Sequence, residues 1–499
     1  MNTSAILQTL SAILVPANML IMFAGTLVGM VFGAIPGLSG AMAIMLMLPL
    51  SYAMDSVTAL CFLVCIFVGG CSGSCISAIL LGIPGQNASI ATCFDGYPMA
   101  KKGEVVRAMS VALVANFIGT FPSCFIALIL SQVIARFAVK LGPWELFSLC
   151  FCAITLVSSL SNGKLAKGFL SAGLGLAVTC VGMAPTDGYA RFTFGNYNLL
   201  GGFSLLYVMM GIFASRSIIL EFAREKKGEK QEPIKVSGFK FPLKDFITNK
   251  VNVIRSWIIG LWIGFLPGMG AALSNVAAYA AAKNASKKPE EFGTGIVDGV
   301  IAPEVANNAS VGGALIPMVA LGIPGDTSTA YLLGALTIHG VEAGPLMFTK
   351  YPVLSNAIFL AAMFGAIAIL ITQMLGMRIF PMILNIPKHW LYSAILAACV
   401  IGVYANSNNL FSVAMLVVFS LIGLIMGYAD LPQAPFALTF VLGKNMETYF
   451  RRGMSFADNG ILSFFTHPIS CAFLVFAIGS MLWPYLKKYL ANKKAAKAE

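Results

Sequence analysis

Long apolar runs fill this chain, and the polar positions between them are few and grouped. In the first half the runs cover about 10–32, 41–50, 57–81, 108–134, 144–160, 166–184 and 199–220. In the second half they cover about 353–376, 390–404, 410–427 and 468–486. Roughly 20 apolar residues carry a helix across the hydrocarbon of a bilayer. Backbone groups in lipid must pair internally, which favours helices for runs of this length. The pattern predicts an all-α polytopic membrane protein of about 10–14 spans.

The runs are interrupted in a repeated way. Gly33-Ala34-Ile35-Pro36-Gly37-Leu38-Ser39-Gly40 is a first break, and Leu81-Gly82-Ile83-Pro84-Gly85 a second. Both return in the second half, as Gly264-Phe265-Leu266-Pro267-Gly268-Met269-Gly270 and Leu321-Gly322-Ile323-Pro324-Gly325. Proline lacks the N–H and clashes with the preceding turn, and glycine frees the backbone, so a helix cannot run through either motif. Inside a membrane such a break is tolerated where it faces protein or a wet cavity. Paired breaks in two halves point to the binding site of a transporter.

Composition agrees. The 499 residues are 58% hydrophobic and 10% charged, with a mean hydropathy of +0.85; soluble domains carry about 25% charged residues. The net charge of +12 does not imply nucleic acid, because Lys and Arg gather in a few loops and in the tail. Cys61, Cys65, Cys71, Cys75, Cys150 and Cys152 lie in apolar stretches and read as small core hydrophobes. No CxxC, HExxH or GxSxG occurs, and the three histidines, His339, His389 and His467, are far apart. No catalytic residue, cofactor or metal site is predicted, beyond sodium as a coupling ion. No Lys or Arg precedes Lys101, so the N-terminus is expected to be retained rather than cleaved as a signal.

Charge also divides the chain. Arg224, Lys226, Lys227, Lys230, Lys235, Lys240, Lys244, Lys250 and Arg255 fall in one polar stretch. The expected organisation is a first membrane repeat at 1–220, a basic cytoplasmic linker at 221–255, a second repeat at 256–486 and a basic cytoplasmic tail at 487–499. Loop charge suggests inverted repeats. After the first break, Ser51 to Ser56 carry no basic residue, whereas half two has Lys283, Lys287 and Lys288. After the second break half one has Lys101, Lys102 and Arg107, and His339 to Pro345 have none. Arg136 and Lys140, set against Arg378 and Lys388, run against this bias. Opposite bias in matching loops is what opposite topology produces.

These motifs, with Asp95-Gly96-Tyr97-Pro98, Lys102-Gly103, Arg191-Phe192-Thr193-Phe194-Gly195 and Ala302-Pro303-Glu304-Val305-Ala306-Asn307-Asn308-Ala309, resemble the large membrane subunit of the tripartite tricarboxylate transporters, the TctA family. The likeness runs from about residue 20 to 470. Asn87 and Ser89 follow the first Gly-Ile-Pro-Gly, where family members vary. The resemblance implies a secondary transporter of the bacterial inner membrane, importing a di- or tricarboxylate such as citrate on a sodium or proton gradient. It also implies two partners, a small four-helix membrane subunit and a periplasmic solute-binding protein.

Helix N-termini present unpaired N–H groups and a positive dipole end, both suited to a carboxylate. The substrate candidates are therefore Pro36, Gly37 and Ser39; Pro84, Gly85, Asn87 and Ser89; Pro267, Gly268, Ser274 and Asn275; and Pro324, Gly325, Thr327, Ser328 and Thr329. Glu304, Asn307, Asn308 and Asp326 are the coupling-ion candidates. Each has a blander alternative. Intramembrane Ser, Thr and Asn commonly pack helices, and Asp326 has pairing with a cation as its alternative to ion coupling. Asp95 reads first as a turn or cap, Asp298 as structural pairing and Arg191 as a loop anchor. The first Gly-Ile-Pro-Gly copy, followed by neutral amides and hydroxyls, suits the anionic solute; the second, followed by Asp326, suits the cation. Alternating access is the expected mechanism, with an elevator-type motion as an analogy. An ion channel and a membrane-embedded enzyme are the competing classes; no selectivity filter or clustered catalytic motif is visible for either.

Overall fold

The computed structural model describes residues 3–159, 165–216, 218–220, 238–268, 270–384, 388–457 and 459–495. The first part of the basic linker, residues 221–237, and the last residues of the basic tail, 496–499, lie outside the described residues. The fold is helical; among the described residues one two-residue antiparallel pair, Gly182–Met183 with Ala190–Arg191, is the only sheet. The helices used below are α1 (Pro16–Ala34), α2 (Gly40–Ser51), α3 (Ser56–Gly73, continued by Cys75–Leu80), α4 (Thr92–Met99), α5 (Val105–Ala138), α6 (Pro143–Ser159) and α7 (Leu165–Thr179). They continue with α8 (Lys250–Phe265), α9 (Gly270–Ala285), α10 (Asp298–Leu321), α11 (Thr327–Ile338), α12 (Pro352–Gly376), α13 (Leu410–Tyr428), α14 (Gln433–Ser455) and α15 (Pro468–Ala495).

Among the described residues five helices are long and apolar enough to cross a membrane, or six if a pair bent by 96° at His467 counts as one. Ten to fourteen were expected from the apolar runs. The difference has a physical cause. Several runs are cut by Pro-Gly breaks into short helices such as Gly40–Ser51 and Thr327–Ile338. Asp298–Leu321 is long enough, but its apolar face is interrupted by Glu304, Asn307 and Asn308.

The chain forms two compact units. The larger takes Met1–Arg136 and Phe213–Leu416; the smaller takes Phe137–Ile212 and Val417–Glu499. In the larger unit α1 and α2 form a hairpin whose tip is the first break. Gly25, Gly29 and Gly33 of α1 lie against Phe62, Ile66 and Gly70 of α3, so these helices run side by side in the same direction. A Cβ at Gly29 would sit 2.1 Å from the Ile66 oxygen; small residues on one stripe permit this approach. α2 turns back from the tip, starting with Gly40 against Gly70. Asp55 then caps α3, accepting from the N–H groups of Val57 and Thr58.

The second half repeats this arrangement residue for residue. Gly260 and Gly264 of α8 lie against Ala306 and Ser310 of α10. α9 returns along α8, placing the Ala281 carbonyl 3.0 Å from the Arg255 guanidinium. Gly85 lies against the Gly33 oxygen and Ser74, and Gly325 against the Gly264 oxygen and Ala314. Gly29 thus corresponds to Gly260, Gly33 to Gly264, Ile66 to Ala306, Gly70 to Ser310, Ser74 to Ala314 and Gly85 to Gly325.

The repeats are inverted. Cys61 and Cys65 of α3 meet the Ala357 and Ala361 oxygens of α12, so these two helices run in parallel. Gly119 of α5 lies against Val305 and Asn308, and Ser123 against Gly312, so α5 parallels α10. α5 and α12 run oppositely: Gln132 bonds Asn356 at 3.2 Å, while Val105 to Ala115 share a core with Ile369 and Met377. Hence α3 and α10 are antiparallel.

In the smaller unit α6, α7, α14 and α15 pack together. The loop after α7 is pinned by charge. Arg191 forks onto both oxygens of Glu447, at 2.7 and 3.0 Å, and Arg451 joins Glu447 to Asp187. This is the anchoring role read for Arg191. The Arg191 hydrogen bond holds the Glu447 carboxyl below its ordinary value.

Two expectations follow. Leucine at Gly33 or Gly264 would bring a Cβ to 2.2 or 2.4 Å from a backbone oxygen. Each change is expected to cost about 1–3 kcal/mol or more, read as a lower unfolding temperature in detergent, whereas Gly173→Ala, with open space around it, lowers nothing. Because the folded Glu447 carboxyl titrates below its unfolded value, its stabilisation is full above about pH 4.5 and fades as pH falls through the lowered value. Protease cleavage between Asp187 and Asn198 is expected to rise below that pH, and to be high at neutral pH in Arg191→Gln.

Candidate functional site

The candidate site lies where the two hairpin tips meet the crossing of α3 and α10. Ser72 of α3 donates to Asn308 Oδ1 of α10 at 2.8 Å. Two residues along α3 from that bond is Gly70, under the first tip; two residues along α10 is Ser310, under the second. All four breaks therefore surround one crossing. The second pair is also tied directly: Gly268 N donates to the Gly325 oxygen at 2.7 Å. Gly37, Gly268 and Gly270 take positive φ values of 93°, 74° and 55°, which L side chains avoid.

The predicted substrate residues divide into engaged and free groups. Ser39 caps α2, accepting from Met42 N. Ser89 donates to the Gln86 oxygen, and Ser274 to the Ala271 and Ala306 oxygens. Asn275 accepts from Ala91 N at 2.8 Å and donates to Thr92 Oγ1. Thr329 completes a capping box with Asp326 at the start of α11. Gly85, Pro324 and Gly325 are buried, whereas Pro36, Pro84 and Pro267 are half-buried and Gly37 is exposed. The side chains of Asn87, Thr327 and Ser328 reach solvent to some degree, and make no hydrogen bond to another described side chain. They follow directly on the two Gly-Ile-Pro-Gly breaks.

The ion-coupling candidates separate further. Asp326 Oδ1 accepts from Thr329 N and Oγ1, each at 2.8 Å, so half its carboxylate serves the helix cap. Asn308 is saturated. Its oxygen accepts from Ser72 and Thr120, and its amide donates to Asn116 Oδ1 and to the Glu304 carbonyl; an amide has two donors and two lone pairs. Glu304 and Asn307 are fully buried and retain oxygens without partners, Glu304 Oε2 and Asn307 Oδ1. Glu304 Oε1 accepts from Thr92.

Other members of the network escaped sequence reading. Thr92, Asn116, Ser72, Thr120 and Gln373 all sit in apolar helices and look like ordinary packing residues. No motif marks them; only the crossing brings them together. Asp95 is a tie between halves rather than a local turn or cap: it accepts from Tyr279 Oη at 2.9 Å and from the N–H groups of Gly293, Gly295 and Ile296. Asp298 pairs with Asn252 at 2.7 Å, the structural role read for it.

An inverted helical repeat in a multi-pass membrane chain, with paired helix breaks around one crossing, defines a transporter class. Comparison with known proteins gives the family. The tripartite tricarboxylate transporter TctA family model matches residues 19–438, and the chain belongs to that family. It is similar to an uncharacterized 52.8 kDa protein in the TAR-I ttuC' 3' region of Agrobacterium vitis, 31% identical over 94% of this chain and 93% of that one. It is also similar to an uncharacterized protein in the TAR-II ttuC' 3' region of the same organism, 35% identical over 43% of this chain and 89% of that one. No solved structure matches the chain.

Asn308→Ala removes four hydrogen bonds and strands groups on α3, α5 and α10. It is expected to cost about 2–4 kcal/mol, seen as a fall in unfolding temperature of the purified protein. An unchanged temperature would show that Asn308 is a replaceable polar residue.

Proposed function

We propose that this chain is the large membrane subunit of a binding-protein-dependent importer of a di- or tricarboxylate, driven by a sodium or proton gradient. The observation that carries the reading is the meeting of four helix breaks at one crossing. There Thr327 and Ser328 open α11, and Asn87 follows the first Gly-Ile-Pro-Gly beside α9 and α10; their side chains are not spent on the fold. A carboxylate leaving water needs fixed donors in its place, and hydroxyls, amides and helix N-termini supply them. The first Gly-Ile-Pro-Gly copy then holds solute chiefly through Asn87, the second copy through Thr327 and Ser328.

In this reading the solute arrives on a periplasmic binding protein, and a small four-helix membrane subunit completes the assembly. The family assignment supports a three-part system. In the same reading the chain sits in the inner membrane, with the basic linker and tail on the cytoplasmic side that the positive-inside rule favours. Transport proceeds by alternating access, with the two inverted hairpins as the moving elements.

The test is uptake of labelled citrate and other di- and tricarboxylates into liposomes holding this chain with both partners. Saturable accumulation that needs the binding protein is expected. Asn87→Ala with Thr327→Val should lower it at least about tenfold, the worth of one or two hydrogen bonds to a charged group. Full uptake by that double variant would move the solute site elsewhere. No uptake of any carboxylate by the wild-type assembly would end the carboxylate reading.

A further inference from the structure

The crossing of α3 and α10 holds buried side-chain oxygens without partners. Glu304 Oε2 and Asn307 Oδ1, one turn apart on α10, have no hydrogen-bond partner, and both residues are fully buried. The Asn307 amide is held in one orientation, because its nitrogen donates to the Cys71 carbonyl at 3.3 Å. Among the described residues no Lys, Arg or His forms an ion pair with Glu304. The titratable groups facing it are the thiols Cys71 and Cys75 from α3 and Cys93 from α4; Asp326 acts on the same Cys71. Unpaired acceptors and an uncompensated carboxylate are costly when buried. What the cluster lacks is one positive charge.

The inverted repeat supplies its own control. Counting from the matched pair Ile66 and Ala306, the first-half counterparts of Glu304, Asn307 and Asn308 are Val64, Phe67 and Val68. Leu332 stands as far beyond Gly325 as Thr92 stands beyond Gly85. Ile44 stands as far beyond Pro36 as Asn275 stands beyond Pro267. The same close crossing of hairpin and helix is thus made from apolar side chains in one half. The fold does not require the polar set in the other.

Building on the ion-driven uptake proposed above, we propose that Glu304 and Asn307 hold a single monovalent cation, a proton or a sodium ion, and that Thr92 and Asn275 report its presence to the second hairpin. A proton on Glu304 Oε2 gives that oxygen a hydrogen to donate and leaves the carboxyl neutral. A sodium ion takes Oε2 and Asn307 Oδ1 as ligands and balances the same charge. The relay is continuous. Thr92 donates to Glu304 and accepts from the Asn275 amide, and Asn275 Oδ1 accepts from Ala91 N. Asn275 lies on α9, the returning leg of the second hairpin, while Thr92 and Ala91 follow the first Gly-Ile-Pro-Gly. Loss of the cation leaves a bare charge beneath the contact between two breaks, and that contact must rearrange or stay locked. Solute movement and cation movement are linked there. Asp326, with one oxygen committed to its helix cap, is the lesser candidate for this role.

The experiment measures thermal unfolding of the full-length purified protein in two arms: sodium titrated at fixed pH, and pH titrated without sodium. The wild type is expected to gain about 2 °C or more in one arm, which identifies the ion. Glu304→Gln, whose amide brings its own hydrogens, is expected to unfold at or above the cation-free wild-type temperature and to lose the response in that arm. Thr92→Val is expected to need at least about threefold more cation for half the effect, with Thr92→Ser restoring the wild-type value. A wild type flat in both arms, or a Glu304→Gln protein responding as the wild type does, overturns the proposal. In liposomes Glu304→Gln is expected to lose gradient-driven accumulation; undiminished accumulation also overturns it. A wild type that responds to cation but moves no carboxylate would sink the transport reading and leave the cation site standing.

Discussion

A helix broken inside a membrane must find partners for its freed backbone within the protein. Here the breaks serve one another. Gly85 closes on the Gly33 oxygen in one half, and in the other Gly268 N is bonded to the Gly325 oxygen while Gly325 closes on the Gly264 oxygen. The contact depends on glycine on both sides, since a side chain would occupy the space of a carbonyl. Much of the larger unit follows from it. Hairpin tips are held at the crossing of α3 and α10, and the N-termini of α2 and α9 lie there.

The backbone is symmetric and the chemistry is not. Matching glycines lead α1 along α3 and α8 along α10 by the same steps. Yet α3 is apolar where α10 carries Glu304, Asn307 and Asn308. Repetition accounts for the shape, while the departures from repetition mark the chemistry. Asn308 spends its amide on locking α3, α5 and α10 together, and Asp95 joins α4 to the loop before α10. Glu304, between them, keeps one oxygen without a partner.

Much of this was legible beforehand at the breaks. Gly33 to Gly40 and Gly82 to Gly85 announce themselves because proline and glycine act locally, whatever surrounds them. Asp326 stood out because an acid in an apolar run is rare, and Glu304 because it lies in a motif of the resembled family. Thr92, Asn116 and Gln373 did not, because a hydroxyl or amide in a membrane helix has many ordinary uses. Fewer helices are span-length than there are apolar runs for a related reason: hydropathy alone does not tell one full span from two half-length legs of a hairpin. Asp95 read as a local turn or cap because the groups that donate to it, on Gly293, Gly295 and Ile296, lie 198 to 201 residues away.

By itself the sequence determined what acts over short range: helical runs, the places where they cannot continue, the repeat of those places and the family they resemble. Tertiary structure decided what depends on distant groups meeting. It put two inverted tips on one crossing, spent Asn308 and half of Asp326 on the fold, and left Asn87, Thr327 and Ser328 unspent. It also buried Glu304 against Thr92 from the other half. The physical reason is that a break is a property of a few consecutive residues, whereas the state of a buried polar atom is a property of everything packed around it.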